Sequence, residues 1–202
     1  PEQIAQIQRN DGEWRIERSW PPDDSENYVV DMGSCQNDGA FVGGISVIGG
    51  GLPVVGGGQT ITVDCQEINP DFSMHISGLV TLHLSAVPSF DGGQVFIEMQ
   101  NLETGVRLGH ATMDVRYYEG GYEPQTVVPG QEITMMMEFQ AIDAVVNPGE
   151  GLRFILSDSG EDYLAPACGN ACTVHVLTSL SELSIPLIER GSESILEVPL
   201  SQ

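Results

Sequence analysis

Residues 78–87, GLVTLHLSAV, alternate apolar and polar side chains with a period of two. Every second position from Val80 to Ala86 is apolar, and every second position from Thr81 to Ser85 is polar. Successive side chains of a β-strand point to opposite faces of its sheet. The run therefore predicts a strand with one face in a core and the other face polar.

The same period recurs along the chain between clusters of Gly, Pro, Asn and Asp. Residues 132–140, EITMMMEFQ, repeat it, and no 11-residue window shows a comparable helical stripe. Further extended runs are predicted at residues 94–100, 107–118, 151–159, 172–177, 183–188 and 195–200. Short strands at this spacing predict an all-β fold, a jelly-roll (galactose-binding-like) antiparallel β-sandwich forming a single domain over residues 1–202.

Residues 32–58 are rich in glycine and contain the stretch GGISVIGGGLPVVGGG. We predict a long loop there, with little that packs regularly. Loops of this length inside a compact domain are usually functional or form interfaces. A flexible excursion pinned by Cys35 and Cys65 is the alternative.

The charge balance excludes two classes of partner. The chain has 202 residues, 29 acidic and 7 basic side chains and a formal net charge of −22. All seven basic residues are arginines. Nucleic acids and anionic membranes need clustered cations, so we expect neither as a partner.

The sequence contains no run of 18 apolar residues, so it predicts no membrane-spanning helix. The N-terminal residues also lack the pattern of a signal peptide.

Four cysteines, Cys35, Cys65, Cys168 and Cys172, allow three disulfide pairings. The pairing local in sequence joins Cys35 to Cys65 and Cys168 to Cys172. Free buried thiols and a metal site are the alternatives, although the spacing is poor for zinc. Disulfides would indicate an extracytoplasmic or secreted protein.

Motifs for bond-breaking chemistry are absent from the sequence. The nearest approach to the hydrolase elbow G-x-S-x-G is residues 44–48, GISVI, which lacks the second glycine. Metalloprotease, P-loop and dinucleotide-binding motifs are also missing. We therefore expect no catalytic residue, no cofactor-binding residue and no metal ligand in this chain.

Two weaker features suggest ligands. Calcium needs six to eight oxygen ligands, and aspartates occur in turns at residues 22–24, 37–39 and 91–93. Such turns use aspartate and glycine for backbone reasons as well. A sugar-stacking platform is a second hypothesis, set against core or interdomain packing, for the aromatic residues Trp14, Trp20, Tyr117, Tyr118 and Tyr122.

Three stretches resemble one known family. Residues 11–22, DGEWRIERSWPP, resemble the segment leading from the hydrolase domain into the C-terminal domain of X-Pro dipeptidyl-peptidases and cocaine-esterase-like hydrolases. Residues 78–121 resemble that domain's central strands, and residues 127–160 its closing signature. The chain departs from the family's Pro-Gly-His-Arg-Leu-Arg pattern at Glu150, where the family has histidine.

The resemblance implies an accessory role. In that family the catalytic Ser, Asp and His belong to an upstream α/β-hydrolase domain, and the C-terminal sandwich packs on it, shapes its substrate entrance and supports assembly. It implies residues 1–27 as an entry segment, the hydrolase domain of the same parent chain as partner, and homo-oligomers as a further expectation. The interface candidates are Trp14, Trp20, Met136 and Arg153, with Arg153 as an ion-pair partner. The rival hypothesis is a free-standing or surface module that binds carbohydrate or calcium.

Overall fold

The computed structural model describes residues 5–35, 54–55, 60–65, 73–158, 160 and 172–188. Within these ranges the helices are single 3-10 turns, and none is long and apolar enough to cross a membrane. The strands are β1 (Ala5–Gln8), β2 (Trp14–Glu17), β3 (Glu26–Asp31), β4 (Val54–Val55), β5 (Ile61–Cys65), β6 (Met74–Gly78), β7 (Thr81–Pro88), β8 (Gln94–Asn101), β9 (Arg107–Asp114), β10 (Ile133–Glu138), β11 (Ile142–Val146), β12 (Leu152–Ser157), β13 (Val174–Val176) and β14 (Glu182–Leu187).

The strands form two sheets and a ribbon, with antiparallel pairing throughout the described residues. The main sheet contains β3, β4, β6, β7, β10, β11, β13 and β14. The second sheet has the order β5-β12-β8-β9, and β1 and β2 form the two-stranded ribbon. The predicted all-β antiparallel sandwich is confirmed.

Two consecutive pairs of strands, β6 with β11 and β7 with β10, form a large part of the main sheet. β6 is followed directly by β7, and β10 by β11, with a bend in the chain between the two strands of each pair. β10 pairs with β7, where Ile133 is opposite Ala86, and β11 pairs with β6, where Ile142 is opposite Gly78. Gly78, in the bend between β6 and β7, has a backbone φ of +143°, a conformation that residues with a side chain rarely adopt. A Cβ there would also lie 3.0 Å from a Pro186 side-chain atom. The bend therefore requires glycine. On the other side of β7, β14 continues the sheet and carries β3 as its neighbour.

The core lies between the two sheets and follows the alternation of the sequence. In β10, Met135 and Met137 are 0% and 1% exposed, whereas Met136 between them is 53% exposed. Burying one such side chain contributes about 2 kcal/mol. In the second sheet, Phe154 and Met99 are fully buried and paired across β12 and β8.

The structure corrects one predicted strand. The extended run predicted at 107–118 ends at Asp114, and residues Val115–Tyr117 form a 3-10 turn instead. The Asp114 carboxylate accepts a hydrogen bond of 2.9 Å from the Arg116 backbone N–H. A carboxylate that bonds backbone two residues further on favours a turn over a continued strand.

The glycine-rich loop predicted at 32–58 is also corrected at two points. Met32–Ser34 form a 3-10 turn, and Val54–Val55 form β4, which pairs with β13. Residues 36–53 and 56–58 lie outside the described residues, as does the extended run predicted at 195–200.

Candidate interdomain surface

The ribbon is fastened to the main sheet by a charge cluster of Arg15, Glu17, His75, Ser77 and Asp143. Arg15 Nε and Nη2 donate to the two carboxylate oxygens of Asp143 over 2.9 and 2.6 Å, and Nη2 also donates to Ser77 Oγ over 2.6 Å. Arg15 Nη1 donates to Glu17, and His75 Nε2 lies 2.9 Å from Asp143 Oδ1. Since His75, Ser77 and Asp143 belong to β6 and β11, the ribbon covers that end of the sheet's outer face.

Asp143 is ionised in this cluster. Its side chain is 2% exposed, and burial on its own would raise the pKa. Hydrogen bonds from His75 and Arg15 outweigh that effect and lower the pKa of Asp143 from 3.8 to about 2. Opposite charge and hydrogen bonding to the charged form both favour ionisation.

The cluster brings together a serine, a histidine and an aspartate, the residue types of a hydrolytic triad. Ser77 is fully buried, and its hydroxyl accepts a hydrogen bond from Arg15. A nucleophile has to reach both its base and the substrate. The cluster is therefore a structural clamp. The sequence did not predict this cluster. The only signal in the sequence was that Ser77 and Asp143 are polar residues in runs where polar and apolar residues alternate.

The ribbon directs an exposed tryptophan away from the sandwich. Arg15 and Glu17 face the main sheet, so their neighbours in the alternation, Trp14 and Ile16, face outward. Trp14 is 63% exposed. An exposed tryptophan is a large amphipathic surface of the kind enriched at interfaces.

Next to the ribbon, the outer face of the main sheet is uncovered by described residues. We name this region the open face. Two neighbouring rows of paired residues cross strands β3, β14, β7 and β10, in that order. The first row is Asp31, Glu182, His83 and Met136, and the second is Val29, Ser184, Thr81 and Glu138.

The open face carries exposed apolar side chains on its two outermost strands, β3 and β10, and acidic side chains lie between and beside them. Val29 and Met136 are 54% and 53% exposed. Leu180, which borders the face because its carbonyl accepts a hydrogen bond from Ser85 Oγ, is 60% exposed. The eight residues of the face include three carboxylates and neither arginine nor lysine. Three large apolar side chains exposed on one side of the sheet make this face a candidate contact surface.

The four interface candidates do not share one surface. The ribbon lies on the outer face of the main sheet, so Trp14 and Met136 are on the same side of the sandwich. Arg153 is on the opposite side, in β12 of the second sheet, where its guanidinium donates two hydrogen bonds of 2.7 Å to Asp64. Trp20 is half-buried, and its peptide bond to Pro21 is cis.

A disulfide joins Cys35 and Cys65. It connects the segment after β3, in the main sheet, to β5 in the second sheet, and so ties the two layers together at one edge. Cys172 is also disulfide-bonded, whereas Cys168 lies outside the described residues, and its pairing stays a prediction.

The described residues hold no cluster of three or more His, Cys, Asp or Glu side chains arranged for a metal ion. The turn at 37–39, one of the calcium candidates, lies outside the described residues. Of the candidate sugar platform, Tyr118 packs against the hydrophobic core and Tyr122 is 98% exposed.

A family model identifies the type of domain. The family model described as "X-Pro dipeptidyl-peptidase C-terminal non-catalytic domain" matches residues 71–180. No curated protein shows a significant sequence match to the chain.

Solved structures show the same fold at low identity. A CocE/NonD family hydrolase from Staphylococcus aureus is 11% identical, with a TM-score of 0.63 over 92% of this chain and 41% of that chain. An aminopeptidase from a marine sediment archaeon of the Thaumarchaeota is 14% identical, with a TM-score of 0.55 over 89% and 39%. An α-amino acid ester hydrolase is 14% identical, with a TM-score of 0.53 over 90% and 36%. The chain spans about two fifths of the length of these proteins.

Proposed function

Because this chain belongs to the family of X-Pro dipeptidyl-peptidase C-terminal non-catalytic domains, we propose that it is the accessory domain of a serine hydrolase. It packs on an α/β-hydrolase domain of the same parent chain and shapes that domain's substrate entrance or its assembly. The observation that carries this proposal is the family match over residues 71–180, which includes strands of both sheets from β6 to β13.

The parent reaction is the hydrolysis of an ester or an amide. The similar structures are named a hydrolase, an aminopeptidase and an amino acid ester hydrolase. We infer a serine peptidase of the dipeptidyl-peptidase type or an esterase as the parent enzyme. The motif for its nucleophile is absent from these 202 residues and would belong to the upstream domain.

We also propose that the protein works outside the cytoplasm. The Cys35–Cys65 disulfide supports this, since disulfides persist in oxidising compartments and are rare in reducing ones.

The test has two parts. The purified 202-residue chain will not cleave an aminoacyl-proline nitroanilide or a simple ester above background, whereas the parent protein will cleave at least one of them. The coding sequence upstream of Pro1 will contain a G-x-S-x-G elbow. Cleavage by the chain alone, or an upstream region without a hydrolase domain, would contradict the proposal.

The rival function, a carbohydrate- or calcium-binding module, predicts a different result. Ligand that binds the folded state raises the melting temperature. Millimolar calcium or a xylan, cellulose or galactan oligosaccharide would then stabilise the isolated chain, whereas the accessory-domain proposal expects no change.

A further inference from the structure

We propose that the open face is the surface on which the hydrolase domain docks, and that the docking patch of that domain is rich in lysine and arginine, with apolar side chains opposite those of the open face. This inference rests on the proposed function, because it names the contact through which the accessory domain acts. It assigns the contact to the main sheet and not to the side that carries Arg153.

Large apolar side chains on and beside the open face are exposed to solvent. Val29, Met136 and Leu180 are each at least half exposed and lie on or beside the open face. Trp14 extends the same side of the molecule across the ribbon, at 63% exposed. Covering such side chains removes apolar area from water and stabilises a complex.

The open face is also negatively charged. Asp31, Glu182 and Glu138 stand in two neighbouring rows of the open face. Covering a carboxylate without a cationic partner costs several kcal/mol. A surface that covers this face must therefore supply cations, which the chain as a whole lacks, with seven arginines, no lysine and a net charge of −22.

The same charges argue against a second copy of this chain as the occupant. Two open faces brought together would bring six carboxylates into one interface, and each chain would carry its −22 net charge into the contact. Like charges facing each other cost several kcal/mol in an interface. A cationic patch on a different domain is the complementary surface.

The absence of lysine makes a direct test available. A carbodiimide joins a carboxylate to a lysine amine within contact distance, and within the parent protein this chain has no such amine of its own. Every cross-link from its carboxylates therefore reports a neighbour outside these 202 residues. The experiment treats the intact parent protein with carbodiimide and identifies the joined peptides by mass spectrometry.

The expected result is that Glu182 or Glu138 is joined to lysines of the hydrolase domain. Glu103, exposed in the turn between β8 and β9 of the second sheet, will not be joined to them. Met136→Arg removes an apolar contact and places a cation against cations, so it will lower the yield of these cross-links about tenfold. Val106→Arg is the matched control, because Val106 is 51% exposed and lies in the β8–β9 turn, and it will leave the yield unchanged.

Folding is checked separately on the 202-residue chain. Both replaced side chains are about half exposed, so Met136→Arg and Val106→Arg will leave its melting temperature within about 2 °C of the original, as surface substitutions usually do.

The outcomes distinguish the two proposals. Cross-links from the hydrolase domain to Glu103, with Glu182 and Glu138 unjoined, would overturn the assignment of the surface and leave the accessory function standing. A parent protein in which no carboxylate of this chain reaches the hydrolase domain would overturn both. A dimer of the isolated chain, seen by light scattering and abolished by Met136→Arg, would show that the face pairs with itself and would overturn the cationic partner.

Discussion

Arg15 and Asp143 lie 128 positions apart in the sequence, and hydrogen bonds of 2.9 and 2.6 Å join the guanidinium of one to the carboxylate of the other. The contact holds the N-terminal ribbon on the outer face of the main sheet. It also sets the direction of Trp14, because the residue next to Arg15 in a strand faces the opposite way.

Replacing Arg15 by methionine will destabilise the chain by about 3 kcal/mol, because the buried Asp143 carboxylate loses its main cationic partner. Urea unfolding at pH 7 measures the change in the free energy of unfolding. The control is Arg9→Met, which removes an arginine whose partners, Asp11 and Glu13, are exposed and which will cost less than about 1 kcal/mol. Equal costs for the two variants would mean that the charge cluster is not a clamp.

The stability of the chain will depend on the ionisation of Asp143 at acid pH. The pKa is about 2 in the folded chain against an ordinary value of 3.8. Since the folded pKa is the lower one, the stabilisation is complete above about pH 4 and is lost as the pH falls through 2. The difference corresponds to about 2 kcal/mol.

The variant Asp143→Asn isolates this contribution, because asparagine keeps the size and an acceptor oxygen but cannot ionise. Between pH 5 and pH 2, the original chain will lose about 2 kcal/mol more of its unfolding free energy than the variant. Parallel pH curves for the two proteins would show that Asp143 does not carry the effect.

Removing the Cys35–Cys65 disulfide by a double change to alanine will lower the free energy of unfolding by about 3 to 4 kcal/mol. The bridge closes a loop with a sequence separation of 30, and loop closure restricts the unfolded chain by about that amount. Calorimetry under non-reducing conditions gives the change without disturbing the bridge at Cys172. A loss below about 1 kcal/mol would contradict the expectation.

Gly33→Ala will destabilise the chain by about 1 to 3 kcal/mol. A Cβ at Gly33 would lie 2.8 Å from the Cα of Ser179, where two 3-10 turns meet beside the open face, and backbone cannot move aside as cheaply as a side chain. The matched change Gly92→Ala meets no atom within 4 Å and will be neutral or slightly stabilising. Thermal unfolding of both variants compares them directly.

How far the sequence predicted this structure depends on whether a feature is local. The alternation in β10 predicted which side chains are buried, because period two alone decides the face of a strand. It also placed Met136 on the face opposite Met135 and Met137. The end of β9 at Asp114 was missed because a capping carboxylate competes with alternation over only two residues.

The partner of a polar residue is a different kind of information. Nothing near Arg15 in the sequence indicates Asp143, because the pair forms only when the ribbon has folded onto β6 and β11. Likewise, alternation did not reveal that Met136 and Arg153 belong to opposite sides of the sandwich. Their placement depends on which sheet each strand joins, and strand order is set by long-range pairing.

The pairing of β3 with β14 has a mechanical consequence. Glu26 opens β3 and Leu187 closes β14, and these two residues are directly opposite each other at one end of the ladder. A force that pulls these two residues apart would break the hydrogen bonds between β3 and β14 one after another, starting at that end. It would not shear the two strands past each other. Tension transmitted through these two points would therefore peel β3 away from the sheet at low load.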